Sequence, residues 1–397
     1  MSSILRQDAQ TGAGVLAKVI VLALQCGLVS MGSYFAQPQV VSIAKGLHVA
    51  PSMAGLVVTC SQCGYVAGLL LVAPLGDLVE NRRLVLTILG LSAASLATAA
   101  VAPNTLTFFV ACFGIGAFSV AVQIIVTCAA SMSSPSGRGT VVGGVTGGLL
   151  MGILLAWPVA SLIGNAWGWR ALYGIHAGLV AASTVAMALI LPSRRPKPAS
   201  NYGELLKSLG SLFVTTVELR RRALMQAFLF GAFSLFWTAV PVELSGHYHL
   251  SVHAFAAFGL IGGAGALVAP LAGLAADRGL GKTVTVGGVV ATLVAFLGTA
   301  LADSAWMLCV CAMLINAGVQ ANLVTSQRRI LSIDPRAGFR LNSIFVACFF
   351  LGGAAGSACA TGLMHFGWEA IAFAGIALAI LALATTLRGF NRPSTVG

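Results

Sequence analysis

Leu71-Val72-Ala73-Pro74-Leu75-Gly76-Asp77-Leu78-Val79-Glu80-Asn81-Arg82-Arg83 closes an apolar run, turns at a glycine and shows two acids and two arginines before the chain becomes apolar again. The runs on either side, 52–76 and 84–102, are each long enough to cross a hydrocarbon core of roughly 30 Å. Working outward, the same pattern gives about twelve spans: 19–37, 52–76, 84–102, 105–131, 139–164, 169–191, 223–245, 254–276, 283–302, 304–327, 339–364 and 367–388. Of the 22 Lys and Arg residues, all but Lys45 and Arg170 fall at the termini or in even-numbered gaps. Positively charged loops stay cytoplasmic, so both termini are expected inside. The expectation is an all-α polytopic membrane protein of twelve transmembrane helices. Its expected solvent is the lipid bilayer.

Composition excludes other classes. Hydrophobic residues make up 58% of the chain and charged residues 8%, against roughly 25% charged in soluble domains. The net charge of +12 reads as inside loops facing anionic lipid. No basic run is interleaved with aromatics, so nucleic acid is not an expected partner. The first apolar run, Val19 to Tyr34, is too long for a signal-peptide core and reads as a retained span. Cys60 with Cys63 and Cys309 with Cys311 have metal-like spacing, but no His or acid accompanies them. They read as small apolar residues, and neither metal nor cofactor is expected. With no H-E-x-x-H and no G-x-S-x-G, an enzyme is not expected.

The chain repeats itself. Leu71-Val72-Ala73-Pro74-Leu75 recurs as Leu267-Val268-Ala269-Pro270-Leu271, and Gly168-Trp169-Arg170-Ala171 as Gly367-Trp368-Glu369-Ala370. Two six-helix bundles are therefore expected, 1–191 and 223–397, with a binding site between them near the midplane. Residues 192–222 form a cytoplasmic linker. In it, Asn201 and Glu204 have capping-box spacing, ahead of a short amphipathic helix expected on the inner leaflet. Glycines at four-residue spacing (Gly64 and Gly68; Gly144, Gly148 and Gly152; Gly259 and Gly263; Gly352 and Gly356) mark spans 2, 5, 8 and 11. Small residues at this spacing permit close helix approach, and contacts between the two bundles are expected there.

The turn Gly76-Asp77-Leu78-Val79-Glu80-Asn81-Arg82-Arg83 has a partner in Gly273-Leu274-Ala275-Ala276-Asp277-Arg278. In each, an acid follows a glycine by four residues and basic residues come next. Such a cluster can pair acid with arginine and with a helix N-terminus, and so hold the inside face shut. Its members are Gly76, Asp77, Glu80, Arg82, Arg83, Gly273, Asp277 and Arg278, with Asp77 or Glu80 as the pairing acid in the first copy. On these motifs, the two repeats and the long central loop, the whole chain resembles the major facilitator superfamily, whose loop pattern is G-x-L-x-D-R-x-G-R-K. The second copy fits through Gly273, Asp277 and Arg278; in the first, Glu80 stands at the Asp place and Asn81 at an Arg place. The resemblance is to bacterial drug/proton antiporter-type efflux members. It departs from them at Val110, four before Gly114, where they carry Arg, and keeps only Pro158 of their span 5 motif. The resemblance implies a monomer.

In that family spans 1, 4, 7 and 10 line the central cavity. This sequence places polar pairs there at i, i+4, hence on one helix face: Ser119 and Gln123, Ser234 and Thr238, Asn316 and Gln320. Span 1 adds Gln25, Ser30 and Tyr34, span 7 adds Trp237, and span 2 adds Gln62. No charged residue lies near the middle of any span, which points to a small neutral or amphiphilic substrate held by hydrogen bonds and aromatic surface. Glu243, Asp77 and His176 are the proton-coupling candidates. The expected function is alternating-access export of a drug, sugar or secondary metabolite in exchange for protons; an uptake symporter or a facilitator of the same fold is the alternative.

Overall fold

Hydrocarbon offers backbone N–H and C=O groups no partner, so a spanning segment must satisfy them within itself. The apolar runs meet that demand as helices. The computed structural model describes residues 12–132, 138–193, 195, 201–334 and 337–390, and among these no strand occurs. The α-helices are α1 (Gly12–Tyr34), α2 (Ala36–Leu47), α3 (Pro51–Ala67), α4 (Asn81–Val101), α5 (Thr105–Phe118), α6 (Ala121–Ser131), α7 (Arg138–Ile190), α8 (Tyr202–Thr215), α9 (Val217–Gly246), α10 (Val252–Gly263), α11 (Ala269–Ala275), α12 (Gly281–Ala300), α13 (Ala305–Leu331), α14 (Gly338–Leu363) and α15 (Trp368–Phe390).

Ten helical stretches among the described residues are long and apolar enough to cross a membrane, and two of them run for 52 and 49 residues. Each of these two bends at a glycine with positive φ: Gly168 (φ 83°, ψ 158°) inside α7, and Gly279 (φ 82°) just before α12. The bends divide them into two limbs each, which gives twelve crossings. The sequence led us to expect separate spans joined by loops at these points. One residue suffices because Gly168 occupies a backbone region open almost solely to glycine. Gly367, its partner in the sequence repeat, has φ 85° and ψ 177° and separates α14 from α15 in the same way. The first span also exceeds its expected length, since α1 continues through a helical Phe35 into α2.

The other repeat marks helix irregularity. Pro74 and Pro270 each sit in the first turn of a new segment (Ala73–Asp77, a 3₁₀ turn, and α11), where the missing N–H is not needed. The helix ahead of each loses its regular ladder: Gly68–Val72 is π-helical and Ala264–Val268 is 3₁₀.

Most of the glycine rows bind helices within one half of the chain. A Cβ on Gly148 or Gly152 would overlap the backbone of Ala23 or Gly27 in α1, and one on Gly352 or Gly356 that of Ala227 or Gly231 in α9. The two sets are 204 positions apart, so the same joint is built twice. Gly64 and Gly68 likewise meet the backbone of Phe113 and Ala117 in the helix beside them. The spans that carry these rows do meet across the halves, α3 with α14 and α7 with α10; of the glycines themselves, Gly259 and Gly263 face the other half, at Trp157 and Leu154 of α7. In a bilayer only close backbone approach discriminates one apolar helix from another, so the rigid joints are where the glycines gather.

Helix α8 opens with the capping box: Asn201 Oδ1 accepts from the Glu204 N–H at 2.9 Å, and the Asn201 N–H donates to Glu204 Oε2 at 3.1 Å. It buries Leu205 and Leu209. Tyr202 Oη donates to Leu71 O (2.8 Å) and Arg340 Nη1 to Ser208 Oγ (3.0 Å). Its apolar stripe thus covers the helix ends themselves, while Val214 remains 64% exposed.

Candidate functional site

Helices α1–α7 and α9–α15 meet along a seam. Side-chain hydrogen bonds cross it at four described places: Thr59 Oγ1 to Ala354 O (3.4 Å), Ser357 Oγ to Gly55 O (3.3 Å), Gln62 Nε2 to Ser234 Oγ (2.9 Å) and Trp157 Nε1 to Phe255 O (3.0 Å). All four lie at mid-helix or toward the end remote from the arginine clusters. Trp157 anchors this region. Its ring stacks on Phe255 (centroids 5.3 Å apart) and meets Trp237 edge-on (4.8 Å), filling the place that a side chain at Gly259 would occupy. Beside the Gln62–Ser234 bond, Gln123 Nε2 donates to Tyr65 Oη (3.2 Å), and Tyr65 packs on Phe350 (4.5 Å).

The residues singled out from the sequence separate into two groups. Gln62, Ser234 and Trp237 come together at the seam. There, Gln62 Oε1 and Trp237 Nε1 are buried without a hydrogen-bond partner, and a buried polar atom left unpaired is an exception in need of a cause. Gln25, fully buried, has neither amide atom paired. Ser119 is engaged locally, with the Ser33 hydroxyl at 2.6 Å and Ile115 O at 2.7 Å. Thr238 bonds Ser357 at 2.9 Å, within its own half. Asn316 Nδ2 donates to Gly262 O (3.2 Å) and Ala312 O (3.1 Å), tying α13 to α10. Ser30 is buried, while Tyr34 and Gln320 are half-buried. Trp157 was outside the expected set. A tryptophan in an apolar run carries no polar signal; only its place beside Pro158 was legible.

The turn motifs form their ion pairs inside each half rather than across the seam. Among the described side chains of the first copy, Glu80 lies 3.2 Å from Arg83 Nε and accepts from Ser193 Oγ at 2.5 Å. Arg82 Nη2 donates to Ala188 O at 2.6 Å. The side chain of Asp77 lies outside the described residues, and Gly76 has open space around it. In the second copy Asp277 pairs with Arg328 at the end of α13, and Arg328 also bonds Gly273 O. Arg278 is exposed. Among the described residues, each cluster braces the ends of neighbouring helices.

Of the coupling candidates, Glu243 is half-buried near the remote end of α9, with His247 one turn on. His176 is buried and donates from Nε2 to Leu28 O at 2.8 Å, edge-on to Phe35 at 4.7 Å. It fills the space beside Gly32, so it wedges α1 against the second limb of α7. Among the described residues no group of three or more His, Cys, Asp or Glu could hold a metal ion.

Comparison with known proteins agrees with this architecture. A family model described as the Major Facilitator Superfamily matches residues 22–327 and 222–396. The chain is 36% identical over 379 residues to the uncharacterized transporter YgaY of Escherichia coli O157:H7, spanning 95% of this chain and 96% of that one. It is 33% identical over 383 residues to a probable transporter of Streptomyces coelicolor, SCO4007 (95% and 89%), and 23% identical over 388 residues to a probable sugar efflux transporter of Helicobacter pylori strain G27 (93% and 94%). The crystal structure of a POT family transporter in complex with 5-aminolevulinic acid superposes with a TM-score of 0.77 at 12% identity, over 94% of this chain and 95% of that chain. Twelve crossings, twice-built helix joints and relatives matched over nearly their whole length make the conclusion plain: this multi-pass membrane chain belongs to the major facilitator superfamily of transporters.

Proposed function

We propose that this transporter exports a small neutral or amphiphilic compound by alternating access, in exchange for protons, through the seam around Gln62, Ser234 and Trp237. The observation that carries the reading is the pair of unpartnered buried atoms at that seam, an acceptor on Gln62 and a donor on Trp237. They stand among aromatic rings, with no ionised side chain at mid-helix depth. Such a surface offers hydrogen bonds and apolar area and gives a charged solute no counter-ion. The printed name of the Helicobacter pylori relative, a probable sugar efflux transporter, favours efflux of a polyhydroxylated or similar neutral solute.

The two bundles, 1–191 and 223–397, move as units joined by the 192–222 linker. The arginine-rich end faces the cytoplasm of a bacterial inner membrane, with both termini inside. The seam is latched at its remote end, so this is the state closed to the outside. Glu243, at the outer mouth of α9, takes up the proton. The protein works as a monomer.

Proteoliposomes with an imposed pH gradient test the proposal against a panel of neutral drugs and sugars. A substrate-evoked pH change that scales with the gradient supports antiport and identifies the substrate class. Flux with no pH change overturns the proton exchange and selects the facilitator reading. Co-directional movement of proton and substrate selects uptake symport.

A further inference from the structure

At the arginine-rich end, away from the seam, a small cleft opens between α9, α12 and α15. Arg221, Arg222, Met225, Thr285, Thr385 and Thr386 line it. Arg222 is its centre. Its side chain is 13% exposed, its Nε donates to Glu218 Oε1 at 3.0 Å, and its Nη1 is buried with no partner. Glu218 is shared, lying 3.2 Å from Arg221 and 4.0 Å from Arg329 as well. One carboxylate therefore faces three guanidinium groups. Helical spacing adds Lys282, three residues before Thr285 on α12, and Arg388, three after Thr385 on α15. Both fall on the cleft's face, one turn nearer the helix ends.

An unpaired buried guanidinium N–H is costly, and the geometry suited to it is a phosphate or carboxylate oxygen. The surroundings decide between a soluble anion and a lipid. Leu224 and Leu387, each beside a lining residue, are 49% and 50% exposed, an apolar flank that a free anion would not use. Arg222 is the sixth residue of α9, so it lies about 8 Å from the helix start at 1.5 Å per residue, the depth of the headgroup layer. Basic pockets between transmembrane helices at this level bind anionic headgroups. We propose that this cleft holds the phosphate of an anionic phospholipid, with Arg222 as its principal donor.

Native mass spectrometry of the full chain, titrated in detergent with phosphatidylglycerol or phosphatidylcholine, tests the assignment. Wild type is expected to retain phosphatidylglycerol selectively. Arg222→Gln should weaken that binding about fivefold, the effect of one cation at a membrane surface, whereas Lys207→Gln on α8 should leave it unchanged. If Arg222→Gln fails to fold, Arg388→Gln supplies the same reading at the rim. Displacement of the lipid by millimolar inorganic phosphate would keep the anion site but overturn the lipid as its occupant. Equal retention of both lipids, or retention unaffected by either arginine variant, overturns the proposal.

Discussion

Gly259→Ala should open the seam. A Cβ at this position overlaps the Trp157 indole at Cγ and Cδ1, next to the ring's attachment point, so the whole ring must move rather than its tip. Movement takes away the Trp157 Nε1 donation to Phe255 O at 3.0 Å, about 1 kcal/mol. It also loosens two aromatic pairs across the seam, Trp157 with Phe255 and with Trp237, about 0.5–1.5 kcal/mol each. The alanine's better helix propensity acts equally in both conformations and cancels. The latched state should therefore lose about 2 kcal/mol or more relative to the open one, a shift of about 30-fold in the equilibrium. Spin labels at Lys45 and His253, exposed residues at the remote ends of the two halves, would report it by double electron–electron resonance as a longer distance population. Gly148→Ala is the control. It presses on the backbone of Ala23, inside one half, and should lower the melting temperature without lengthening that distance. A Gly259→Ala protein that is stable and keeps the wild-type distance distribution would refute the claim that Trp157 latches the seam.

Trp237→Phe keeps an aromatic ring but deletes the unpartnered indole donor; substrate affinity should fall about tenfold, and unchanged affinity with lower stability would reduce Trp237 to packing. Gln62→Leu removes the 2.9 Å bond to Ser234 and should weaken both substrate binding and the latched state, read by equilibrium binding and by the same spin labels. Asp277→Asn breaks the pair with Arg328, whose side chain is 43% exposed against 58% for Asp277. Stability should change by less than about 1 kcal/mol while the transport rate falls and substrate affinity holds; an unchanged rate removes the cluster from the mechanism. Glu243→Gln should abolish the pH dependence of transport, and persistent proton coupling would move that role to His176 or Asp77.

The fold was legible because its signals are one-dimensional. Length and hydropathy decide which residues lie at membrane depth, and the positions of arginine divide the gaps into two sides. The GWRA and GWEA copies even carried backbone information, since both glycines turn the chain with positive φ. Azimuth was not legible. A soluble helix shows its buried face as an apolar stripe, but here lipid and protein neighbours are equally apolar, so the stripe disappears. Asn316 illustrates the consequence: its depth marked it for the cavity, yet its side chain turns to Gly262 O on the neighbouring helix. The glycine rows were half legible for the same reason: the spans that carry them do meet across the halves, but the neighbour of each glycine was not readable. Four-residue spacing states that a close neighbour exists but not which one, and Gly148 and Gly259 read alike while the first meets α1 and the second crosses the seam. Asp277 and Arg328 are far apart in sequence and touch only because α13 returns to the same end as the turn. What would have separated them is the repeat. A joint built twice from the same residue types, such as Ala23 and Gly27 on Gly148 and Gly152, then Ala227 and Gly231 on Gly352 and Gly356, lies inside each half. Trp157 on Gly259 is also built twice, but unequally: 204 positions after Trp157, Thr361 stands against Gly55, itself 204 before Gly259, with a hydroxyl where the first copy has an indole. Where a pseudosymmetric chain departs from its own repeat is where the two halves must differ to meet, and there a solute of no particular symmetry finds an asymmetric surface to bind.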